Sequence, residues 1–272
     1  HDEDMLDNFI STLQETSRPL PAAPVSKFQA LKPKPVAPEE STESTANSEG
    51  SRLCFRELRQ RSQKRTINYT VANPLHFSKK DYPWEKSIVA ANIEVFGHTH
   101  FRQNQKPIIN ASKLGFDVFG CMPTGGGKSL LFQLPAVVEP GVSIVIMPLL
   151  ALIHDQLAAL ARLEIPCLFL GAHDGAQTTR EGVGLIFKQT LDSPKIVFLT
   201  PEKLKKSEAT MGLLERLYQA RLINRFVIDE AHCVSQWGHD FRADYLELRA
   251  LRRLFPAVPI LALTATATED VR

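Results

Sequence analysis

The sequence predicts an α/β fold in which a parallel sheet is covered by helices on both faces. Three observations carry that expectation. Short apolar runs near 117–121, 142–147, 166–170, 195–200, 226–230 and 259–264 alternate with longer segments that suit helices. Strands separated by helical crossovers in this way pair in parallel and are buried from both sides. A glycine-rich turn, Thr124-Gly125-Gly126-Gly127-Lys128-Ser129, follows the first run, and an acid pair, Asp229-Glu230, ends the fifth. Open α/β sheets bind ligands at the carboxyl ends of their strands, where both motifs would lie.

Residues 1–50 come first in chain order. They hold nine acids against four bases, and 17–50 are dense in Pro, Ser, Thr, Glu and Ala without periodic apolar residues. Such a composition buries too little apolar surface to offset the entropy of ordering, so a largely disordered tail is expected. Within it, 5–13 reads either as a short amphipathic helix or as a partner-binding peptide. Residues 51–84 form a basic approach segment, and 51–110 together carry eleven bases against four acids. The stretch 52–65, with Arg56, Arg59, Arg61, Lys64 and Arg65, reads equally as a basic helix or as a nuclear address. This charge suits a nucleic-acid partner, although a solvated basic face is its ordinary explanation. Tyr82-Pro83-Trp84 marks structured chain, and a helix over about 85–96 opens a folded unit spanning 85–272.

The run 116–122 reads as a strand feeding the glycine turn, and 130–138 as the helix leaving it. Successive glycines let backbone N–H groups approach a phosphate without Cβ clashes and tolerate φ > 0. The helix N-terminus would then face the β- and γ-phosphates, Lys128 would neutralise the same oxygens, and the Ser129 hydroxyl would ligate Mg²⁺. Met122 stands where the usual pattern has its first glycine, so the loop takes the form Pro-Thr-Gly ahead of Gly-Lys. The second motif follows Arg225-Phe226-Val227-Ile228, a run suited to a buried parallel strand. Asp229 at its end can hold Mg²⁺ while Glu230 polarises the attacking water. Alone, such a pair is more often a solvated turn or a helix cap. Joined to a phosphate loop, it is the second half of one site, and the whole is a P-loop NTPase of RecA-like fold.

Together with the segments between them, these motifs resemble the RecQ helicases, among them most the eukaryotic Bloom type. Residues 96–105, Phe-Gly-His-Thr-His-Phe-Arg-Gln-Asn-Gln, are similar to that family's adenine-recognition segment. The resemblance implies that Gln105 reads the adenine edge and Arg102 lies on the base. It assigns ATP to Thr124, Gly125, Gly126, Gly127, Lys128 and Ser129, and Mg²⁺ to Ser129 and Asp229. Residues 145–156 and 198–204 resemble segments that track a DNA backbone, with Thr200 and the following helix N-terminus offered to a phosphate. Residues 231–245 resemble the family's aromatic-rich loop, which implies that Trp237, Phe241 and Arg242 contact single-stranded DNA. A helical core stripe through Trp237 and Phe241 is the plainer reading, and Gly238, His239 and Asp240 between them fit it poorly. Residues 261–268 are similar to the third motif, which implies that Thr264 and Thr266 couple hydrolysis to DNA, with His232 as the link. The implied catalytic set is Lys128, Asp229, Glu230 and His232.

The resemblance implies an ATP-dependent DNA helicase moving 3′ to 5′ in repair, recombination and replication, located in the nucleus. Its cofactors are ATP and Mg²⁺. Its partners are single-stranded and partly duplex DNA, a second RecA-like domain beyond Arg272, and proteins bound by the N-terminal tail. An arginine finger of that second domain adds about 10³ to 10⁵ in rate, so this stretch alone is expected to hydrolyse ATP weakly. The competing expectation is a non-catalytic DNA-binding scaffold. A small-molecule P-loop kinase is disfavoured by the aromatic loop. An apolar content of 43% is ample for a core, and no uninterrupted apolar span is long enough for a bilayer, so no membrane partner is expected. The chain opens on His1 without a charged and apolar leader, and reads as a fragment or processed product lacking a secretory signal. Cys54, Cys121, Cys167 and Cys233 are isolated, which argues for a reducing compartment and against a zinc site in this stretch.

Overall fold

The computed structural model describes residues 77–78, 81–171, 176–234, 243–246 and 248–265. The expected tail, most of the approach segment, and Trp237, Phe241, Arg242 and Thr266 lie outside the described residues.

Among the described residues, helices α1 (Glu85–Glu94) and α2 (Gln105–Lys113) precede the sheet. Then follow β1 (Val118–Cys121), α3 (Leu130–Val138), β2 (Val142–Ile146), α4 (Leu150–Arg162), β3 (Cys167–Phe169) and α5 (Ala176–Lys188). The second half holds β4 (Ile196–Leu199), α6 (Pro201–Lys206), α7 (Glu208–Gln219), β5 (Ile223–Ile228) and a 3₁₀ turn over Ala231–Val234. It ends with α8 (Ala243–Leu246), α9 (Arg249–Leu254) and β6 (Ile260–Thr264). All pairings are parallel, in the order β1-β6-β5-β2-β4-β3. This is the RecA-like α/β architecture that the alternation of runs predicts.

Both faces of the sheet are buried because successive residues serve opposite cores. Ile144 and Ile146 of β2, with Phe226 and Ile228 of β5, join one cluster. Val145 and Met147, with Val227 and Leu261, join the other. Period-two alternation between two apolar layers is why these strands read as unbroken apolar runs.

The fifth strand departs from expectation. It spans Ile223–Ile228 rather than 226–230, so it starts earlier and excludes both acids. Arg225 explains the early start: it looks like a strand boundary in sequence, yet it is 1% exposed. Its guanidinium pairs with Glu139 and donates to Ser112 Oγ at 3.0 Å and Ser143 Oγ at 3.2 Å. A buried cation bonded at each of its three nitrogens continues a strand as an apolar residue does. The strand stops because Glu230 adopts φ +52, which turns the chain out of the ladder.

The amino ends of the strands are locked by a second buried pair. Asp117 accepts from Arg252 of α9 and from the Ile260 amide at 2.8 Å, tying the start of β1 to the start of β6. At the approach to the domain, the Trp84 indole donates to Asn110 Oδ1 at 2.9 Å and stacks on Tyr82 with a centroid distance of 5.1 Å. These contacts dock the residues before α1 onto α2.

Candidate nucleotide and metal site

The turn after β1 is built from glycines for steric reasons that can be named. Gly125 and Gly127 take φ +74 and +84, a region that costs an L residue about 1–2 kcal/mol. A Cβ on Gly126 would sit 2.8 Å from the Pro123 carbonyl, which accepts the Gly126 amide at 2.8 Å. The chain therefore curls tightly, and α3 begins at once: Leu131 N bonds Lys128 O at 3.0 Å and Gln133 N bonds Ser129 O at 3.0 Å. Helix N–H groups and the positive end of the α3 dipole thus face the mouth of the turn.

A cleft of about 470 Å³ opens over this turn, lined by Gly97, His98, Thr99, His100, Arg102, Gln105, Gly125, Gly127, Lys128, Ser129 and Leu130. The segment read as adenine-recognising and the phosphate loop therefore share one cavity. Thr124 and Gly126 shape the turn without lining that cavity. Gln105 is 3% exposed and its amide bridges two backbones. Its Oε1 accepts from Arg102 N at 2.7 Å, and its Nε2 donates to Gly127 O at 3.1 Å. The Arg102 guanidinium donates to Gly125 O. Both side chains thus brace the phosphate loop itself, a placement that residue chemistry alone does not suggest.

The acid pair reaches the same edge of the sheet through strand order. β6 lies between β1 and β5, with Cys121 beside Thr264 and Ile228 beside Ala262. Thr264 is consequently the hinge point of the site. Its carbonyl accepts from Met122 N at 3.0 Å, at the root of the phosphate loop. Its Oγ1 lies 3.0 Å from His232 Nδ1, and the same nitrogen lies 3.2 Å from Glu230 Oε2. The Cys233 sulfur, 3.9 Å from Nε2, and the Glu230 carboxylate raise His232 to about 10 against the opposing effect of burial. His232 bonding holds Glu230 below the usual carboxylate range, helped by the charge on Lys128.

Asp229 shows the opposite behaviour. Burial, reinforced by the neighbouring Glu230, raises it to about 6. Its Oδ1 is buried without a hydrogen-bond partner. A desolvated carboxylate oxygen with nothing to bond is what a cation would satisfy, and the donor set of Asp229 with the Ser129 hydroxyl suits a hard ion such as Mg²⁺. An ion held there would supply positive charge to phosphate oxygens seated over the turn. Ser129 is oriented in turn: Gln156 of α4 donates to its Oγ at 3.2 Å, and Gln133 of α3 donates to Gln156 Oε1 at 2.7 Å. Neither glutamine was singled out by the sequence as a site residue, because they meet only once α3 and α4 pack.

Thr200 sits where the 198–204 segment turns from β4 into α6. Its Oγ1 caps that helix, accepting from Lys203 N at 3.3 Å, with Glu202 in the first turn. The hydroxyl oxygen already has a structural duty there. Trp237, Phe241, Arg242 and Thr266 fall outside the described residues.

Fold and site together define a P-loop nucleotide-binding protein of the RecA-like class: a glycine turn opening a helix, an acid pair at a parallel strand end, and a threonine strand between them. The chain matches the DEAD/DEAH box helicase family over residues 102–272. It belongs to that family. Among relatives it is similar to ATP-dependent DNA helicase Q-like 4B of Arabidopsis thaliana, 46% identical over 79% of this chain and 19% of that protein. It is likewise similar to RecQ-like DNA helicase BLM of Xenopus laevis, 46% identical over 74% of this chain and 15% of that protein. The helicase SGS1 of Saccharomyces cerevisiae is 44% identical over 70% of this chain and 13% of its own. The chain thus spans less than a fifth of the length of these three relatives. A crystal structure of the DUF1998 helicase MrfA superposes with a TM-score of 0.52 at 17% identity, covering 68% of this chain and 30% of the other. That likeness is one of fold.

Proposed function

We propose that this chain is the ATP-binding half of a RecQ-type DNA helicase that moves 3′ to 5′ and serves DNA repair, recombination and replication in the nucleus. ATP is held by Thr124, Gly125, Gly126, Gly127, Lys128 and Ser129, with Arg102 and Gln105 at the base end. Mg²⁺ is held by Ser129 and Asp229, and Glu230 polarises the attacking water. The observation that supports this reading best is the Thr264 junction. One residue bonds the root of the phosphate loop through its carbonyl and reaches the acidic motif through His232 by its hydroxyl. A hydrolytic site with such a link can respond to DNA seated beyond Glu230, where Trp237, Phe241 and Arg242 follow in sequence. Thr264 and Thr266 carry the coupling, and Thr200 offers a backbone contact. A second RecA-like domain completes the cleft, the N-terminal tail recruits protein partners, and single-stranded or partly duplex DNA is the substrate.

The test is steady-state ATP hydrolysis by the full-length protein, with and without single-stranded DNA. Lys128→Ala and Glu230→Gln are each expected to lower DNA-stimulated turnover by on the order of 10² or more, the scale of losing one preorganised charge-stabilising group. Near-normal turnover in both variants would defeat the proposal, and DNA binding without any hydrolysis by the wild type would favour a scaffold instead.

A further inference from the structure

Tyr245 closes the aromatic-rich stretch in sequence, but the structure gives it a different neighbour. Its side chain is fully buried, and its hydroxyl donates to the Asp229 carbonyl at 2.9 Å. We propose that Tyr245 is a positioning residue for the acid pair: by holding the peptide between Asp229 and Glu230, its hydroxyl sets where both carboxylates point when metal and nucleotide bind. The proposal rests on the hydrolytic reading above.

Three observations carry it. That peptide is the one at which the chain reverses out of β5, with Glu230 at φ +52. A non-glycine residue in the left-handed region persists only where its surroundings hold it there. The bonds that hold it include Asp229 N to Ile146 O at 3.0 Å, Cys233 N to Glu230 O at 2.9 Å, the His232 contact of the Glu230 carboxylate at 3.2 Å, and the Tyr245 hydroxyl on the carbonyl between. The first two belong to the sheet and to the turn that any strand end makes. Tyr245 comes from a separate element.

Second, the Asp229 carboxylate cannot orient itself through Oδ1, which is buried without a hydrogen-bond partner. The carboxylate takes a backbone hydrogen bond from the Glu230 amide, and that amide belongs to the same peptide whose carbonyl Tyr245 grips. Third, the grip has a fixed origin. Tyr245 lies on α8, whose Asp244 pairs with Lys205 of α6 at 2.7 Å. The hydroxyl is thus located from two sides, by packing of the ring and by the pairing of its helix. A tyrosine that merely satisfied its own hydroxyl could use any buried carbonyl. This one uses the carbonyl of the residue whose carboxylate awaits the cation.

The experiment uses the full-length protein and the substitution Tyr245→Phe, which removes the hydroxyl and keeps the ring. Four quantities are read: melting temperature, KM for ATP, kcat, and the Mg²⁺ concentration that half-restores binding of a fluorescent ATP analogue after chelation. A positioning role predicts a kcat about 10-fold lower, the effect of one lost orienting hydrogen bond. It also predicts a several-fold higher Mg²⁺ requirement, with KM and melting temperature nearly unchanged. Unchanged kcat and unchanged Mg²⁺ requirement overturn the proposal, and so does a lower melting temperature with unchanged kcat, which marks a purely structural tyrosine. If Tyr245→Phe does not fold, 3-fluorotyrosine at this position is read instead: a stronger donor must alter the Mg²⁺ requirement, and an unaltered requirement overturns the proposal. Lys128→Ala is measured alongside. Wild-type hydrolysis by Lys128→Ala removes the hydrolytic reading and this proposal with it, whereas an inactive Lys128→Ala beside a wild-type-like Tyr245→Phe removes the positioning role alone.

Discussion

Thr264 is completely buried, and its side-chain oxygen meets a histidine whose own partner is the Glu230 carboxylate. Replacing it with valine keeps shape and volume but leaves His232 without this contact. Stability is expected to fall by about 1 kcal/mol, the worth of one hydrogen bond. ATP affinity should persist while stimulation of hydrolysis by single-stranded DNA falls several-fold, a pattern read from kcat with and without DNA. Loss of ATP binding in Thr264→Val would refute this division of labour. The pH behaviour follows from the raised imidazole. A folded value of about 10 against an ordinary 6.5 means that the stabilising pair is fully present below 6.5 and is lost only as pH rises through about 10. Wild-type turnover should therefore show no His232 inflection near neutrality, and a sharp loss of coupling between pH 6 and 8 would contradict that assignment.

At the scale of elements, α3 and α4 meet at Gln133 and Gln156, and their contact ends on the Ser129 hydroxyl. A serine hydroxyl rotates freely unless something occupies one of its lone-pair directions. With the Gln156 amide bound on one side, the remaining lone pair would be left for the metal ion proposed above. Gln156→Ala is expected to raise the Mg²⁺ requirement of nucleotide binding two- to five-fold at unchanged melting temperature, measured by metal titration of a fluorescent analogue. An identical metal curve would leave Gln156 as helix packing only. The element boundaries also show what a single sequence reveals. Helix α3 was legible over 130–138 because the glycine turn announces its start, and β2 because four of its five residues, all but Ser143, are apolar. The start of β5 was not legible, since Arg225 is polar in sequence and buried in fact. Its acceptors, Glu139, Ser112 and Ser143, come from distant positions, and no local pattern records them.

Across the whole molecule, the ends of the sheet have separate tasks. Carboxyl ends carry the candidate site, and amino ends carry the buried Asp117–Arg252 pair that joins β1, β6 and α9. Burial outweighs the attraction of Arg252 and raises Asp117 from 3.8 to about 6. An acid raised in the folded state contributes stability below its unfolded value and loses it as pH climbs through the folded one. Relative to Asp117→Asn, wild-type stability should therefore decline by up to about 3 kcal/mol between pH 4 and 6, as read by urea denaturation. A difference that is flat across that window would show the Arg252 pairing to be dominant.

The phosphate loop and the acid pair were legible because each is a local object: glycines whose backbone angles are dictated residue by residue, and carboxylates placed by the end of an adjoining strand. Their joining was not. That β6 slots between β1 and β5, setting Thr264 between glycine turn and acid pair, depends on which strands choose each other, and strand order is settled by burying two apolar layers at once. The same holds for Tyr245, Gln156 and Arg225. Each side chain has a chemistry that the sequence declares, and a partner that only the packed chain supplies, because hydrogen bonds reach about 3 Å while the residues that make them lie tens of positions apart.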